Sequence, residues 1–173
     1  MSRMLGDPVV CAVVHEVELA LPLSHDLLCY VARFPYCDMV LPSLTRFLIQ
    51  DGTVDLPLIF VDVGANVGDT VKLVSATAGK KNISFICVEP DESFLPLLYE
   101  NTAGLDVKVH SFLDASTTQQ VNVTFRRNSG TSAIVAGSGP RPAGALDDVL
   151  SEQHVDLLKI DILTAMKARY CAG

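Results

Sequence analysis

The sequence predicts an α/β fold: a doubly wound, mostly parallel sheet with helices on its faces. Three observations lead there. Leu58–Val63, 84–89 and 155–161 are near-continuous apolar runs, as in strands covered on both faces. Helical patterns separate strands at the spacing of βαβ units. The first run ends in a turn, Gly64-Ala65-Asn66-Val67-Gly68, that opens directly into a helix.

Each element follows from local chemistry. Val9–Val14 is rich in β-branched residues and reads as a strand. Ser24 is placed to cap a short helix running to Arg33, which Pro35 stops. A second helix is expected over 43–50, with Gly52 at its C-terminal position. Its Leu44, Phe47 and Leu48 share one apolar face. After the strand Leu58–Val63 comes a helix over 67–78, closed by Gly79, and then the strand 84–89. Asp91 or Ser93 is expected to cap the next helix, whose apolar face is Phe94, Leu97 and Leu98 and which Gly104 ends. Pro96 must then fall in its first turn, where a missing N–H is tolerated. Val107–His110 is a third strand, and 121–126 alternates like an added strand in a hairpin. Residues 128–142, rich in Gly, Ser and Pro, read as a loop, Leu146–Leu150 as a short helix, and 155–161 as a further buried strand. Right-handed crossovers limit the topologies that join them.

Composition bounds the function. The 173 residues suit one domain, and 49% hydrophobic against 19% charged residues excludes wholesale disorder. A net charge of −7 lacks the electrostatic footprint of a nonspecific nucleic-acid binder. No stretch reaches the ~20 apolar residues of a membrane span, and the short apolar segment 8–14 lacks secretory features. Five scattered cysteines (Cys11, Cys29, Cys37, Cys87 and Cys171) form no CxxC and suit a reducing compartment, so a cytoplasmic location is expected. The sequons at Asn82 and Asn122 are then chance matches.

The chemistry concentrates after the first buried strand. In open α/β sheets ligands bind beyond the carboxyl ends of the strands. Gly64 is expected to let the backbone approach a ligand, and Gly68 to let the helix pack close to the strand. Glu89 lies 21 residues beyond Gly68, the spacing at which a carboxylate reaches a ribose diol. The site reads as a nucleoside-binding crevice; the plain alternative is a tight turn with no ligand. The turn is not G-x-G-x-x-G: Asn66 occupies the middle glycine's place, where a side chain obstructs a pyrophosphate. That argues against a nicotinamide dehydrogenase. S-adenosylmethionine carries an amino-acid tail in place of the phosphates, which Asp62 and the turn's backbone could hold.

Several motifs occur in order: Asp-Val-Gly-Ala-Asn-Val-Gly-Asp-Thr at 62–70, Val88-Glu89-Pro90-Asp91, Asn101, Asn128-Ser129-Gly130-Thr131-Ser132, Leu146-Asp147-Asp148-Val149-Leu150 and Asp156-Leu157-Leu158-Lys159-Ile160-Asp161. Together they resemble the FkbM family of S-adenosylmethionine-dependent methyltransferases, over about 58–161. The resemblance implies a class I, Rossmann-like methyltransferase fold and O-methylation of a small molecule or sugar. It implies Asp62, Gly64 and Asn66 at the methionine end of the cofactor and Glu89 on its ribose. Ala65, Gly68, Thr70, Pro90 and Asp91 complete the expected cofactor-binding set; Asp114, which follows the third strand, either reaches the adenine edge or is a turn aspartate. Asp161 is the candidate catalytic or substrate-contacting group; otherwise it ends a strand or caps the next helix. Ser129, Gly130 and Ser132 either shape the mouth of the site or form a solvated loop. No metal is expected.

The family pattern continues after Leu-Lys-Ile-Asp with an acidic-Gly segment and further strands, whereas Asp161 is followed here by Ile162-Leu163-Thr164-Ala165-Met166. The expectation is a shortened family member: a mixed extension over 1–54 packed on a partial cofactor-binding domain over 55–173. The strand 155–161 would be an exposed edge open to self-association. Two functions follow. One is a methyltransferase with a small-molecule acceptor, no nucleic acid and no membrane span. The other is a noncatalytic product with a residual crevice, acting through protein interaction.

Overall fold

A hairpin of β1 (Val9–Val14) and β2 (Val17–Pro22) leads into helices α1 (Leu27–Arg33) and α2 (Val40–Asp51). The core then alternates β3 (Leu58–Val63), α3 (Asp69–Ala78), β4 (Ile83–Val88), α4 (Leu95–Asn101) and β5 (Val107–His110). Next come β6 (Leu113–Asp114), β7 (Gln119–Asn128), β8 (Thr131–Gly144), α5 (Leu146–Leu150) and β9 (Leu157–Ile160). This is a computed structural model, and it describes residues 7–36, 39–79, 82–128, 131–150 and 153–161.

The central sheet has the order β5-β4-β3-β9, and all its pairings are parallel. β4 and β5 extend it to one side of β3, and β9 lies on the other, so the winding reverses at β3. The register sets Val63 level with both Val88 and Ile160, so three strands end on one line. Alternate residues serve opposite faces, as a strand's two-residue period requires. Leu58, Phe60, Phe85 and Cys87 pack with Val71, Val74 and Leu98 from α3 and α4. Val61, Val63, Ile86 and Val88 pack on the other face with Leu146, Val149 and Leu150 from α5. Both faces are covered, which is why these strands read as unbroken apolar runs.

Four details depart from the sequence reading. First, β2 pairs antiparallel with β1 through a two-residue turn at His15 and Glu16. Both have positive φ, 48° and 67°, in a turn that ordinarily uses Asn or Gly. Second, Ser24 does not cap α1: its hydroxyl and N–H bond the Asp7 carboxylate, and α1 starts after Asp26 without a side-chain cap. Third, α2 buries Thr45 and packs Leu41, Leu48 and Ile49 on the core, while Leu44 and Phe47 are exposed. Fourth, most of the expected loop over 128–142 is strand β8, paired antiparallel with β7. The register jumps between Asn122 and Val123, whose partners are Pro140 and Ala136, so Gly137, Ser138 and Gly139 form an irregularity within the ribbon. Beyond Ala143 and Gly144, which pair with β6, the second side of β8 has no ladder partner among the described residues. Pro140 and Pro142 are tolerated there because an edge position needs no N–H.

The N-terminal hairpin is bound to the core through Asn101 of α4. Its side-chain amide donates to the carbonyls of Ala20 (3.0 Å) and Val67 (2.8 Å), and its oxygen accepts from Ala20 N–H (2.8 Å). One buried side chain thus joins β2, α4 and the glycine turn. Leu19 and Leu21 pack with Val67, Phe94 and Leu97 around this joint. The strand β9 lies at the edge of its sheet among the described residues, with Leu158 exposed. No helix among the described residues is long and apolar enough to cross a membrane.

Candidate functional site

The carboxyl ends of β3, β4 and β9 are stitched together by their own backbones. Gly64 and Ala65 donate to the Val88 carbonyl (2.8 and 3.2 Å), and Asp161 donates to the Val63 carbonyl (2.8 Å). The chain turns after β3 through three residues of positive φ: Gly64 at 84°, Asn66 at 49° and Gly68 at 82°. Asparagine tolerates the left-handed region better than most residues, so Asn66 is suited to its place.

The two glycines serve the protein's own packing. A Cβ on Gly64 would stand 2.5 Å from the Asp161 carbonyl oxygen, so the close approach is to the end of β9. A Cβ on Gly68 would meet Leu98 at 2.8 Å and Thr102 at 3.0 Å, so Gly68 seats α4, where the sequence reading placed the strand. Ala65 is buried in the core and offers the site only its backbone.

Asp62 is fully buried on β3. Its register partners are Cys87 on β4 and Lys159 on β9. Facing positions on adjacent strands let Lys159 Nζ donate to Asp62 Oδ1 at 2.7 Å. Asp62 Oδ2 is buried with no hydrogen-bond partner among the described residues. Burial pushes the Asp62 pKa up to about 6 against the attraction of Lys159, and the Asp69 and Asp161 carboxylates add to the rise. Burial works against the Lys159 charge, but Asp62 outweighs it and holds the pKa above the ordinary lysine value. At neutral pH the two form an ion pair. Burial also pushes the Cys87 thiol far up, so it is inert as a nucleophile. Lys159 was in the Leu-Lys-Ile-Asp motif but not among the expected site residues. A lysine inside an apolar strand was the available signal, since a buried cation needs a partner.

Glu89, the residue after β4, is 5% exposed. Its Oε2 accepts from Asn66 N–H at 2.7 Å and its Oε1 from Asp91 N–H at 2.8 Å. Burial pushes its pKa up to about 7, although both N–H groups favour the charged form. The carboxylate therefore ties the glycine turn to the turn after β4. Each oxygen keeps capacity for another donor. Asp91 is itself buried: Oδ1 accepts from Ser93 N–H and Oγ, and Oδ2 from Ser132 Oγ at 2.6 Å. Asp91 thus organises a turn ahead of α4, whose N-cap position is Phe94.

Hydrogen bonds thus join Asn66, Glu89 and Asp91 into one group. Gly64 bonds the neighbouring Val88 carbonyl, Asp62 is paired separately with Lys159, and Asp161 follows β9 at the same end of the sheet. Asp161 is exposed at the end of β9. Thr70 sits half-buried in the first turn of α3, and Pro90 is half-buried between Glu89 and Asp91. Asp114 accepts from the N–H of Leu146 at 3.3 Å, an interaction at the start of α5. Ser129 and Gly130 lie outside the described residues. His25 is an addition that the sequence did not signal. Leu27 N–H donates to its Nδ1 at 3.1 Å, so neutral His25 carries its proton on Nε2, 3.4 Å from Asn66 Oδ1. A small cavity lined by Ile59, Ser84, Asp106 and Lys108 lies toward the amino ends of the strands, away from this group. No group of three or more His, Cys, Asp or Glu side chains is arranged to hold a metal ion among the described residues.

No protein-family model matches the chain, and no curated protein matches it significantly.

Proposed function

We propose that the crevice beyond β3, β4 and β9 binds S-adenosylmethionine, and that the chain is a methyltransferase domain of FkbM type acting on a hydroxyl of a small molecule or sugar. One observation carries this reading: Glu89 is fixed against the glycine turn by Asn66 N–H, where the winding of the sheet reverses. The residues fit such a cofactor. Glu89 retains acceptor capacity for a ribose diol. Asp62 Oδ2, a buried acceptor without a donor among the described residues, matches an ammonium group. The side chain at Asn66 disfavours a pyrophosphate in the same turn.

When bound, S-adenosylmethionine supplies an electrophilic methyl group on a sulfonium. The work left to the protein is positioning. Lys159 keeps Asp62 ionised and oriented. Asp161, exposed at the same end of the sheet, is the group that would orient an acceptor hydroxyl or take its proton.

Calorimetric titration with S-adenosylhomocysteine and, in parallel, NAD+ tests the reading. Saturable binding of the first and none of the second is expected. Binding of NAD+ alone, or of neither, contradicts it.

A further inference from the structure

The turn after β4 receives support from a distant part of the chain. Ser132 belongs to β8, in the separate sheet of order β6-β8-β7, 41 residues from Asp91. Its hydroxyl donates to Asp91 Oδ2 at 2.6 Å, the short distance of a charge-assisted bond. The acceptor is 2% exposed. A carboxylate so deeply buried depends on its donors for its position. The same residue's N–H is one of the two groups that hold Glu89. A second tie joins the same two regions: Arg141 on β8 meets Glu92 at 2.8 Å, its guanidinium lying over the Phe125 ring of β7 at 5.8 Å. That pair is partly exposed and weaker.

We infer that Ser132 is a positioning residue: its hydroxyl fixes the Asp91 carboxylate and, through the Asp91 N–H, the carboxylate of Glu89 at the end of β4. The β7–β8 ribbon is then a structural wall of the crevice. The crevice and what Glu89 receives there rest on the cofactor reading above; the bonds from Ser132 to Asp91 and from Asp91 to Glu89 do not. A serine in a Gly- and Ser-rich stretch thereby has a stated task, to carry order from one sheet to the other.

The test uses the full chain with Ser132→Ala and Ser132→Thr, the second keeping the hydroxyl. Amide hydrogen exchange is read by NMR at Asp91, at Asn66 and at Val61 in the sheet, and S-adenosylhomocysteine affinity by calorimetry. Ser132→Ala is expected to speed exchange at Asp91 about tenfold, the loss of one hydrogen bond to a charged group, with Val61 unchanged. Ser132→Thr is expected to behave as the parent. Affinity is expected to fall about tenfold in Ser132→Ala alone. Unchanged protection of Asp91 in Ser132→Ala, equal acceleration at all three amides, or the same loss in Ser132→Thr would each overturn the inference. Unchanged affinity beside a faster Asp91 amide would overturn the link to the crevice. If the parent chain does not bind the ligand, the cofactor reading fails, and the exchange data still decide the role of Ser132.

Discussion

Asp62 and Glu89 are two buried carboxylates at neighbouring strand ends, and they are held by opposite means. Asp62 is paired with a cation, Lys159, from the adjacent strand, and leaves one oxygen without a donor among the described residues. Glu89 is held by two backbone N–H groups, one on each oxygen. An ion pair secures a charge by another charge, so it depends on one side chain. A pair of amide bonds secures it by the path of the chain, so it depends on the turns being formed. Asp62 is thus an anchored charge, and Glu89 organises the loops around it.

The largest expected effect comes from breaking the first arrangement. Lys159→Met leaves Asp62 buried without its cation. Removing one partner of a buried pair costs about 3–5 kcal/mol, to be read from urea unfolding. Adding Asp62→Asn to Lys159→Met should restore much of the loss, because the uncompensated charge is gone. A single variant as stable as the parent would mean that the pair is not what secures Asp62.

A smaller effect should mark Glu89. Its pKa, raised from 4.5 to about 7, means that the folded chain holds the Glu89 proton where the unfolded chain has released it. This contribution to stability is fully present below pH 4.5 and is lost as pH rises through 7. Asp62, raised from 3.8 to about 6, acts in the same direction over a lower window. Stability should therefore fall between pH 5 and 8, with Glu89 contributing on the order of 2 kcal/mol. Glu89→Gln should flatten that slope above about pH 7, where Asp62, with its pKa about 6, has mostly titrated. An equal slope in Glu89→Gln would remove the asymmetry between the two carboxylates.

Much of this was legible in the sequence. The strands Leu58–Val63 and Val107–His110 and the helix Leu146–Leu150 stand where apolar pattern and turn residues put them. Pro96 falls in the first turn of its helix, and Gly52 and Gly79 stand at helix C-termini. These features are set by local chemistry. What failed was set by turns whose residues are atypical, by a composition that strand and loop share, or by distant partners. The pairing of β1 with β2 was hidden because His15 and Glu16 are not hairpin-turn residues. The glycines and prolines of β8 looked like loop punctuation because, in sequence, a bulged edge strand and a loop share a composition. Leu44 and Phe47 have the period of a buried face, yet tertiary packing selected the neighbouring face of α2. Within the site, the residue types and spacing of Asp62, Gly64 and Glu89 were legible. The partners were not: Lys159 for Asp62, the Asp161 carbonyl for Gly64, Ser132 for Asp91.

The most direct test of the central claim is the thermal unfolding of the purified chain with and without S-adenosylhomocysteine, beside Glu89→Ala. At a ligand concentration about 100 times the dissociation constant, linkage predicts roughly 2.7 kcal/mol of stabilisation, or about 5 to 10 °C for a chain of this size. The account predicts that shift in the parent chain and none in Glu89→Ala. A cooperative transition in the parent that the ligand leaves unmoved, or an equal shift in both chains, would contradict it.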